Sequence, residues 1–232
     1  DQLLERVVAR QFRGLWGSRD RDTGLIPSIS SFADVMALNS TSGVVQMLPE
    51  AIRRGLVSQG EADAGVAQIV ATMQTVWDNV EAGGNGGFLP PRYIDRVNLN
   101  QSFVLEESSV DASFFFLALH QYRNLPTTTT TLRDNIDALL NRFDFDAFNS
   151  PTGWRLAYLY QSQTFTTGTY DGYSGEVYAI SLAAHLAPSN QVDITTHWNS
   201  ATFRVSDFLV DENDSHLVHS QDAFRAPFLQ WL

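Results

Sequence analysis

The stretch Ala112–Arg123 constrains the fold most, because it is apolar on nearly every side. Its letters, ASFFFLALHQYR, put aromatic and aliphatic residues all around a helical turn. A helix without a polar face must be covered by other elements, so this stretch predicts an inner helix. Asp111 directly precedes it. The sequence therefore places a carboxylate at the N-terminal end of a core element, where helix capping and catalysis are both open interpretations.

The stretch 171–186, DGYSGEVYAISLAAHL, predicts a second apolar helix that also follows a polar turn. Its helical spacing includes Val177, Ile180 and Ala184. Ser174 is the expected N-cap, which puts Glu176 in the first turn. The helix dipole holds a carboxylate ionised there, so a general acid needs burial or a nearby like charge to keep its proton. Glu176 is thus either a capping residue or a catalytic one.

Composition excludes several chemistries. The 232 residues suffice for a single domain, 1–232, with a sizeable core. The formal net charge of −11 argues against nucleic acid or an anionic membrane surface as a partner. All 15 basic residues are Arg, so a lysine nucleophile is excluded, and the lack of Cys excludes thiolate catalysis and disulfides. No apolar window is long enough to span a membrane.

The rest of the chain predicts mostly helices in hairpins. Ser58 and Glu61 have the spacing of a capping box, and Pro49 predicts a kink or a restart within its helix. The glycine-rich stretch 81–88 predicts a loop, and 103–105 is a short β-like run. The further helices are expected at Leu3–Leu15, Thr41–Arg54, Ser58–Trp77, Leu132–Phe143, Asp193–Ser206 and Gln221–Leu232.

The stretch Gly153–Gln161 is strand-like and rich in aromatic residues. It carries Trp154, Tyr158 and Tyr160 at alternating or near-alternating positions. Such side chains form a buried core in many proteins, and they also form the surfaces on which sugar rings stack. Both interpretations stay open at this point.

Four blocks together resemble a known family. They are Asp22–Ile26, Leu48–Ala71, Glu107–Asp111 and Tyr170–Pro188. Their order and spacing over most of the chain are similar to the bacterial glucoamylase-like domain, whose relatives include endo-β-1,2-glucanases and the corresponding region of cyclic β-1,2-glucan synthases. The resemblance implies an all-α (α/α)6 toroid with short β-like hairpins and long loops at one end. About seven predicted helices make that toroid incomplete in this chain, so a second chain completing the barrel is an expected partner.

The resemblance also implies an activity, namely hydrolysis or transfer of glucosyl linkages in a neutral oligo- or polysaccharide. Two carboxylates would flank the scissile bond, with Glu176 as the acid and Asp111 as the base or the residue that orients water. No cofactor and no metal are expected. The residues expected to line the sugar subsites are Tyr170, Asp171, Tyr173, Trp154, Arg155 and Glu107.

Two other function classes compete with this one. A polysaccharide lyase on the same toroid would use Tyr173, His120 or His185 as base and Arg155 to neutralise a uronate. A non-catalytic glycan-binding or assembly module would bind without turnover. The five histidines form no zinc-binding pattern. A periplasmic or extracellular location is the expectation for either kind of glycan-acting protein.

Overall fold

Helices dominate the computed structural model, which describes residues 2–28, 34–102, 105–170 and 175–188. Within these ranges, no helix is long and apolar enough to cross a membrane. The predicted helices 193–206 and 221–232 lie outside the described residues. The helices are α1 (Gln2–Gly17), α2 (Leu38–Arg53), α3 (Gln59–Ala82), α4 (Ser109–Arg123), α5 (Thr130–Leu140) and α6 (Gly175–Leu186).

The helices alternate between two rows. Helix α4 packs against α2 on one side and against α6 on the other, so these three form the inner row. Helices α1, α3 and α5 lie outside, with α1 on α2, α5 on α4, and α3 against both α5 and α2. The prediction that α4 is an inner helix is confirmed, since Phe115, Phe116 and Leu119 are all fully buried. An inner row alternating with an outer row is the arrangement that an α/α toroid requires.

Nine short strands form three antiparallel sheets within the described residues. The first sheet has the order β1-β2-β3, the second β4-β7-β8 and the third β5-β6-β9. Their bounds are β1 Val35–Ala37, β2 Tyr93–Asp95, β3 Asn100–Gln101, β4 Glu106–Ser108, β5 Asn149–Ser150, β6 Gly153–Arg155, β7 Ala157–Leu159, β8 Thr164–Phe165 and β9 Thr169–Tyr170.

Each inner helix begins beside a strand from a different sheet. Strand β1 leads directly into α2, β4 leads directly into α4, and β9 ends shortly before α6. The sheets therefore lie at the N-terminal ends of the inner helices, as the expectation of β-like hairpins at one end required. First-turn side chains of these helices are brought to the same end of the molecule.

Helix α2 starts earlier than predicted. It begins at Leu38 and not at Thr41, and it continues through Pro49 without a break. Thr41 is buried, and its hydroxyl donates to the Ala37 carbonyl at 3.0 Å and accepts the Ile26 N–H at 3.1 Å. These bonds use the polar group that suggested a cap. The capping box of α3 is confirmed, because the Ser58 and Glu61 side chains each accept the other's backbone N–H.

The aromatic stretch 153–161 is two strands rather than one. Strand β6 pairs within the third sheet, while β7 pairs with β4 in the second, so the chain changes sheets at Leu156. This change puts Trp154 of β6 opposite Tyr170 and Tyr158 of β7 opposite Glu107.

Candidate active site

Asp111 lies in the first turn of α4, where Ser108 fixes it from the cap position. The Ser108 hydroxyl donates to Asp111 Oδ2 at 2.6 Å and accepts the Asp111 backbone N–H at 3.3 Å. The residue is only 5% exposed. Burial raises the pKa of Asp111, while the hydroxyl of Ser108 and the charge of Arg92 act in the opposite direction.

Arg92 brings a positive charge to this carboxylate. Its Nε lies 3.3 Å from Asp111 Oδ2, and its Nη1 donates to Glu106 Oε1 at 2.8 Å. Sequence reasoning missed both Arg92 and Glu106, because the contact joins positions far apart in the chain. The only local signal was Pro90-Pro91, whose fixed φ angles make the preceding backbone rigid.

Tyr170 lies near two of the predicted site carboxylates, Asp111 and Glu176. The Tyr170 ring is partly buried at the end of β9, and α6 begins soon after it with Glu176 in its first turn. Burial, together with the charges of Glu176 and Asp111, raises the pKa of Tyr170 to about 12. The phenol therefore lies within electrostatic reach of both carboxylates and stays a neutral hydroxyl at physiological pH. Three of the predicted site residues are thus brought together.

Glu107 lies on the face of β4 opposite to Glu106. It is fully buried, and its Oε2 accepts the Leu89 N–H at 3.0 Å. Burial raises the pKa of Glu107 to about 8, although the backbone N–H groups and the Tyr160 hydroxyl favour the ionised form. The prediction that Glu107 contacts substrate is at odds with this burial. Its contacts give it a supporting position beneath the site.

Trp154 is also closed to solvent. Its indole N–H donates to the Ser181 hydroxyl at 2.9 Å, which joins the third sheet to α6. Of the two interpretations of this aromatic side chain, burial favours the core over a sugar-stacking surface. Arg155, the next residue, is partly exposed, and its guanidinium lies 4.3 Å from the centre of the Phe165 ring. Asp171, Tyr173 and the expected cap Ser174 lie outside the described residues.

The two histidines of the lyase interpretation lie away from these carboxylates. His120 is in the last turn of α4, roughly 13 Å along the axis from Asp111 by the helical rise per residue, and its ring stacks on Phe116. His185 is exposed in the last turn of α6, whereas Glu176 is in the first. Neither histidine lies at the end of its helix that carries Asp111 or Glu176, so neither is brought to these carboxylates.

The described ranges contain no group of three or more His, Asp or Glu side chains that could hold a metal ion. The available chemistry at the site is that of three carboxyl groups (Asp111, Glu106 and Glu176), a neutral phenol and a guanidinium. Such a set can transfer protons to and from a neutral substrate and can hold its hydroxyl groups.

Neither a protein-family model nor a characterised protein sequence matches this chain. Solved structures do match it. The β-1,2-glucanase from Parabacteroides distasonis superposes with a TM-score of 0.69 at 16% identity, over 86% of this chain and 29% of that protein. The "putative glucoamylase" from Bacteroides caccae gives 0.68 at 17% identity, over 87% and 51%. The endo-β-1,2-glucanase from Chitinophaga pinensis, solved with sophorotriose and glucose, gives 0.66 at 14%, over 87% and 50%.

These likenesses establish the fold. The chain shares the architecture of glucoamylase-like and β-1,2-glucanase structures, which confirms the predicted resemblance at that level. It spans about half the length of the Bacteroides caccae and Chitinophaga pinensis proteins, and less of the Parabacteroides distasonis protein. Nothing in the comparisons supports a second chain as a partner.

Proposed function

We propose that this chain carries the catalytic carboxyl groups of a glycoside hydrolase that acts on a neutral glucan. The observation that supports this most is the position of Tyr170, whose phenol lies within electrostatic range of both Asp111 and Glu176. Cleaving a glycosidic bond requires two carboxyl groups, and Asp111 and Glu176 lie in the first turns of two helices that pack against each other, α4 and α6. The proposed setting is an (α/α)6 toroid, of which the described helices supply part.

Glu176 acts as the general acid in this proposal. It gives its proton to the leaving glycosidic oxygen as the bond to the anomeric carbon breaks. Asp111 acts as the base, taking a proton from the attacking water or orienting that water. Burial raises the pKa of Asp111, and this makes it a stronger proton acceptor once ionised, which suits a base.

Tyr170, Arg155 and Arg92 complete the proposed site. The neutral Tyr170 hydroxyl can donate a hydrogen bond to a sugar oxygen or to the transition state. Arg155, together with Asp171 and Tyr173, stays in the set predicted to contact sugar. A neutral substrate fits this site, because the acidic chain would repel a polyanion.

A β-1,2-linked glucan is the substrate to test first. The support is the structural likeness to two proteins named as β-1,2-glucanases, one of them solved with sophorotriose. A periplasmic or extracellular location is part of this proposal.

The experiment is reducing-sugar release from a panel of neutral glucans led by β-1,2-glucan. Native chain is compared with Glu176→Gln and Asp111→Asn, which keep side-chain size and remove the proton-transfer group. Release by the native chain that is lost in both variants supports the proposal. Full activity of Glu176→Gln on every active substrate rejects Glu176 as the acid.

The same assay separates the competing function classes. A lyase would produce an unsaturated sugar with new ultraviolet absorbance, whereas hydrolysis produces none. Glucan binding without any release would indicate a binding module instead. His120 and His185 lie in the last turns of their helices, away from Asp111 and Glu176, so a lyase that used either histidine would need a different site.

A further inference from the structure

Two backbone hydrogen bonds fix the position of Arg92. Its N–H donates to the Glu106 carbonyl at 3.0 Å, and its carbonyl accepts the Leu38 N–H at 3.0 Å. Glu106 belongs to β4, which leads into α4, while Leu38 is the first residue of α2. The backbone of Arg92 is therefore fixed between the starts of two adjacent inner helices.

The residues just before Arg92 are fixed as well. Leu89 donates its N–H to the buried carboxyl of Glu107, and Pro91 forms an isolated antiparallel bridge with the same residue. The segment 89–92 thus runs alongside β4. Pro90 and Pro91 restrict the backbone further, so the Arg92 side chain extends from a rigid segment.

The side chain of Arg92 lies between two carboxylates. Nη1 is bonded to Glu106, and Nε faces Asp111 Oδ2 at 3.3 Å. Nε is buried and makes no hydrogen bond of good geometry. Burying an unpaired donor is costly, and the charge of Asp111 at 3.3 Å offsets part of that cost.

We propose that Arg92 is the positioning residue of this site: lying between Glu106 and Asp111, its guanidinium sets the direction of the Asp111 carboxylate and places a positive charge beside it. Asp111 Oδ2 is then held from two sides, by the Ser108 hydroxyl and by Arg92. The function of Asp111 as a base rests on the proposed glycoside hydrolysis. The electrostatic effect of Arg92 on Asp111 does not.

The charges around Asp111 allow two variants that should shift its pKa in opposite directions. Arg92 lowers the pKa of Asp111, after burial has raised it, and Glu106 raises that pKa. Tyr170 faces Asp111 from β9, and Tyr170 is itself affected by Glu176 of α6. Helix α2, packed against α4, has no acidic residue in its first turn.

The test is a titration of the Asp111 side-chain carboxyl by ¹³C NMR in the folded chain, with the signal assigned from Asp111→Asn. In Arg92→Met the midpoint should rise by about one pH unit or more, as expected when a carboxylate loses an adjacent arginine. Arg92→Lys keeps the charge and loses the planar geometry, so a smaller rise is expected.

Glu106→Gln is the matched control of opposite sign. A Gln side chain still accepts a hydrogen bond from Arg92 but has no charge, so the Asp111 midpoint should fall. A purely structural role for Arg92 predicts no opposite shifts. Where the chain turns over glucan, the acidic limb of kcat/KM should move in the same direction as each midpoint.

The outcomes separate this proposal from the proposed function. Shifted midpoints without glucan release from the native chain support the role of Arg92 and reject the hydrolase. Glucan release with an Asp111 midpoint that is unchanged in Arg92→Met rejects the role of Arg92. If Arg92→Met does not fold, unchanged midpoints in both Arg92→Lys and Glu106→Gln reject it equally.

Discussion

Carboxyl groups lie on both sides of strand β4, and the two sides differ in whether a cation is nearby. The first cluster is Asp111 with Glu106, and the second is Glu107 with its contacts. Asp111 and Glu106 share a guanidinium, that of Arg92, and lie near the half-buried Tyr170. Glu107 is more deeply buried, and its described contacts are backbone N–H groups and the Tyr160 hydroxyl rather than a cation.

The difference explains why one cluster suits chemistry and the other suits support. A carboxylate with a cation beside it can be ionised in a buried place and can accept a proton. A carboxyl group without one keeps its own proton at neutral pH, as the pKa of about 8 for Glu107 indicates. Neighbouring residues of one strand, Glu106 and Glu107, thus differ in their surroundings, because the first pairs with Arg92 and the second contacts backbone N–H groups and a phenol.

The largest expected effect is that of Asp111→Asn on turnover. Removing a general base should lower kcat by about 10²- to 10⁴-fold, while circular dichroism stays native. Glu107→Gln, in strand β4 just before helix α4, should lower kcat far less. Equal losses in the two variants would contradict the division between the clusters.

The second prediction concerns stability against pH. Burial raises the pKa of Glu107 to about 8, above the ordinary value near 4.3 expected in the unfolded chain. Between these values the folded chain binds the extra proton, so this contribution to stability is complete below about pH 4 and is lost as pH rises towards 8.

Glu107→Gln should remove that loss, because an amide does not titrate and still accepts the Leu89 N–H. Relative to the native chain, the variant should gain about 1–3 kcal/mol of unfolding free energy between pH 5 and pH 8.5. Urea denaturation at both pH values measures this. Parallel pH dependence of the two chains would show that Glu107 is not a buried neutral acid.

The third prediction tests the support of α6. Trp154→Phe removes the donor to Ser181, so the fold should lose about 1–3 kcal/mol and turnover should fall through the altered placement of Glu176. Adding Ser181→Ala removes the acceptor as well and should recover part of the stability. If the double variant instead loses more unfolding free energy than Trp154→Phe alone, the Trp154–Ser181 hydrogen bond is not the cause.

The smallest effect is expected far from both clusters. Ser58→Ala removes the cap of α3 and should cost about 1 kcal/mol of unfolding free energy. Turnover at a temperature well below unfolding should stay native. A loss of activity here would mean that any decrease in stability disturbs the site, and it would weaken the interpretation of Trp154→Phe.

Much of the fold follows from local sequence. The apolar stretch before Arg123 identified α4 as an inner helix, and the Ser58–Glu61 spacing identified the start of α3. The position of Glu176 in a first turn also followed, whereas Asp111 was expected just before its helix and lies in the first turn because α4 begins three residues earlier, at Ser109.

The face on which a strand residue lies could not be predicted here. Strand β4 has only three residues, too few for an alternating pattern to separate Glu106 from Glu107. Trp154 was ambiguous for the same reason, since β6 and β7 are each three residues long and belong to different sheets. Arg92 required tertiary contacts to be recognised at all.

The most direct test of the central claim is a double-mutant cycle on kcat, with native chain, Asp111→Asn, Glu176→Gln and the double variant assayed on the most active glucan. If the two carboxylates act as one unit, each single variant loses most of the turnover and the double variant is no worse than the poorer single one. Native turnover in either single variant, or losses that multiply in the double variant, would contradict a shared site.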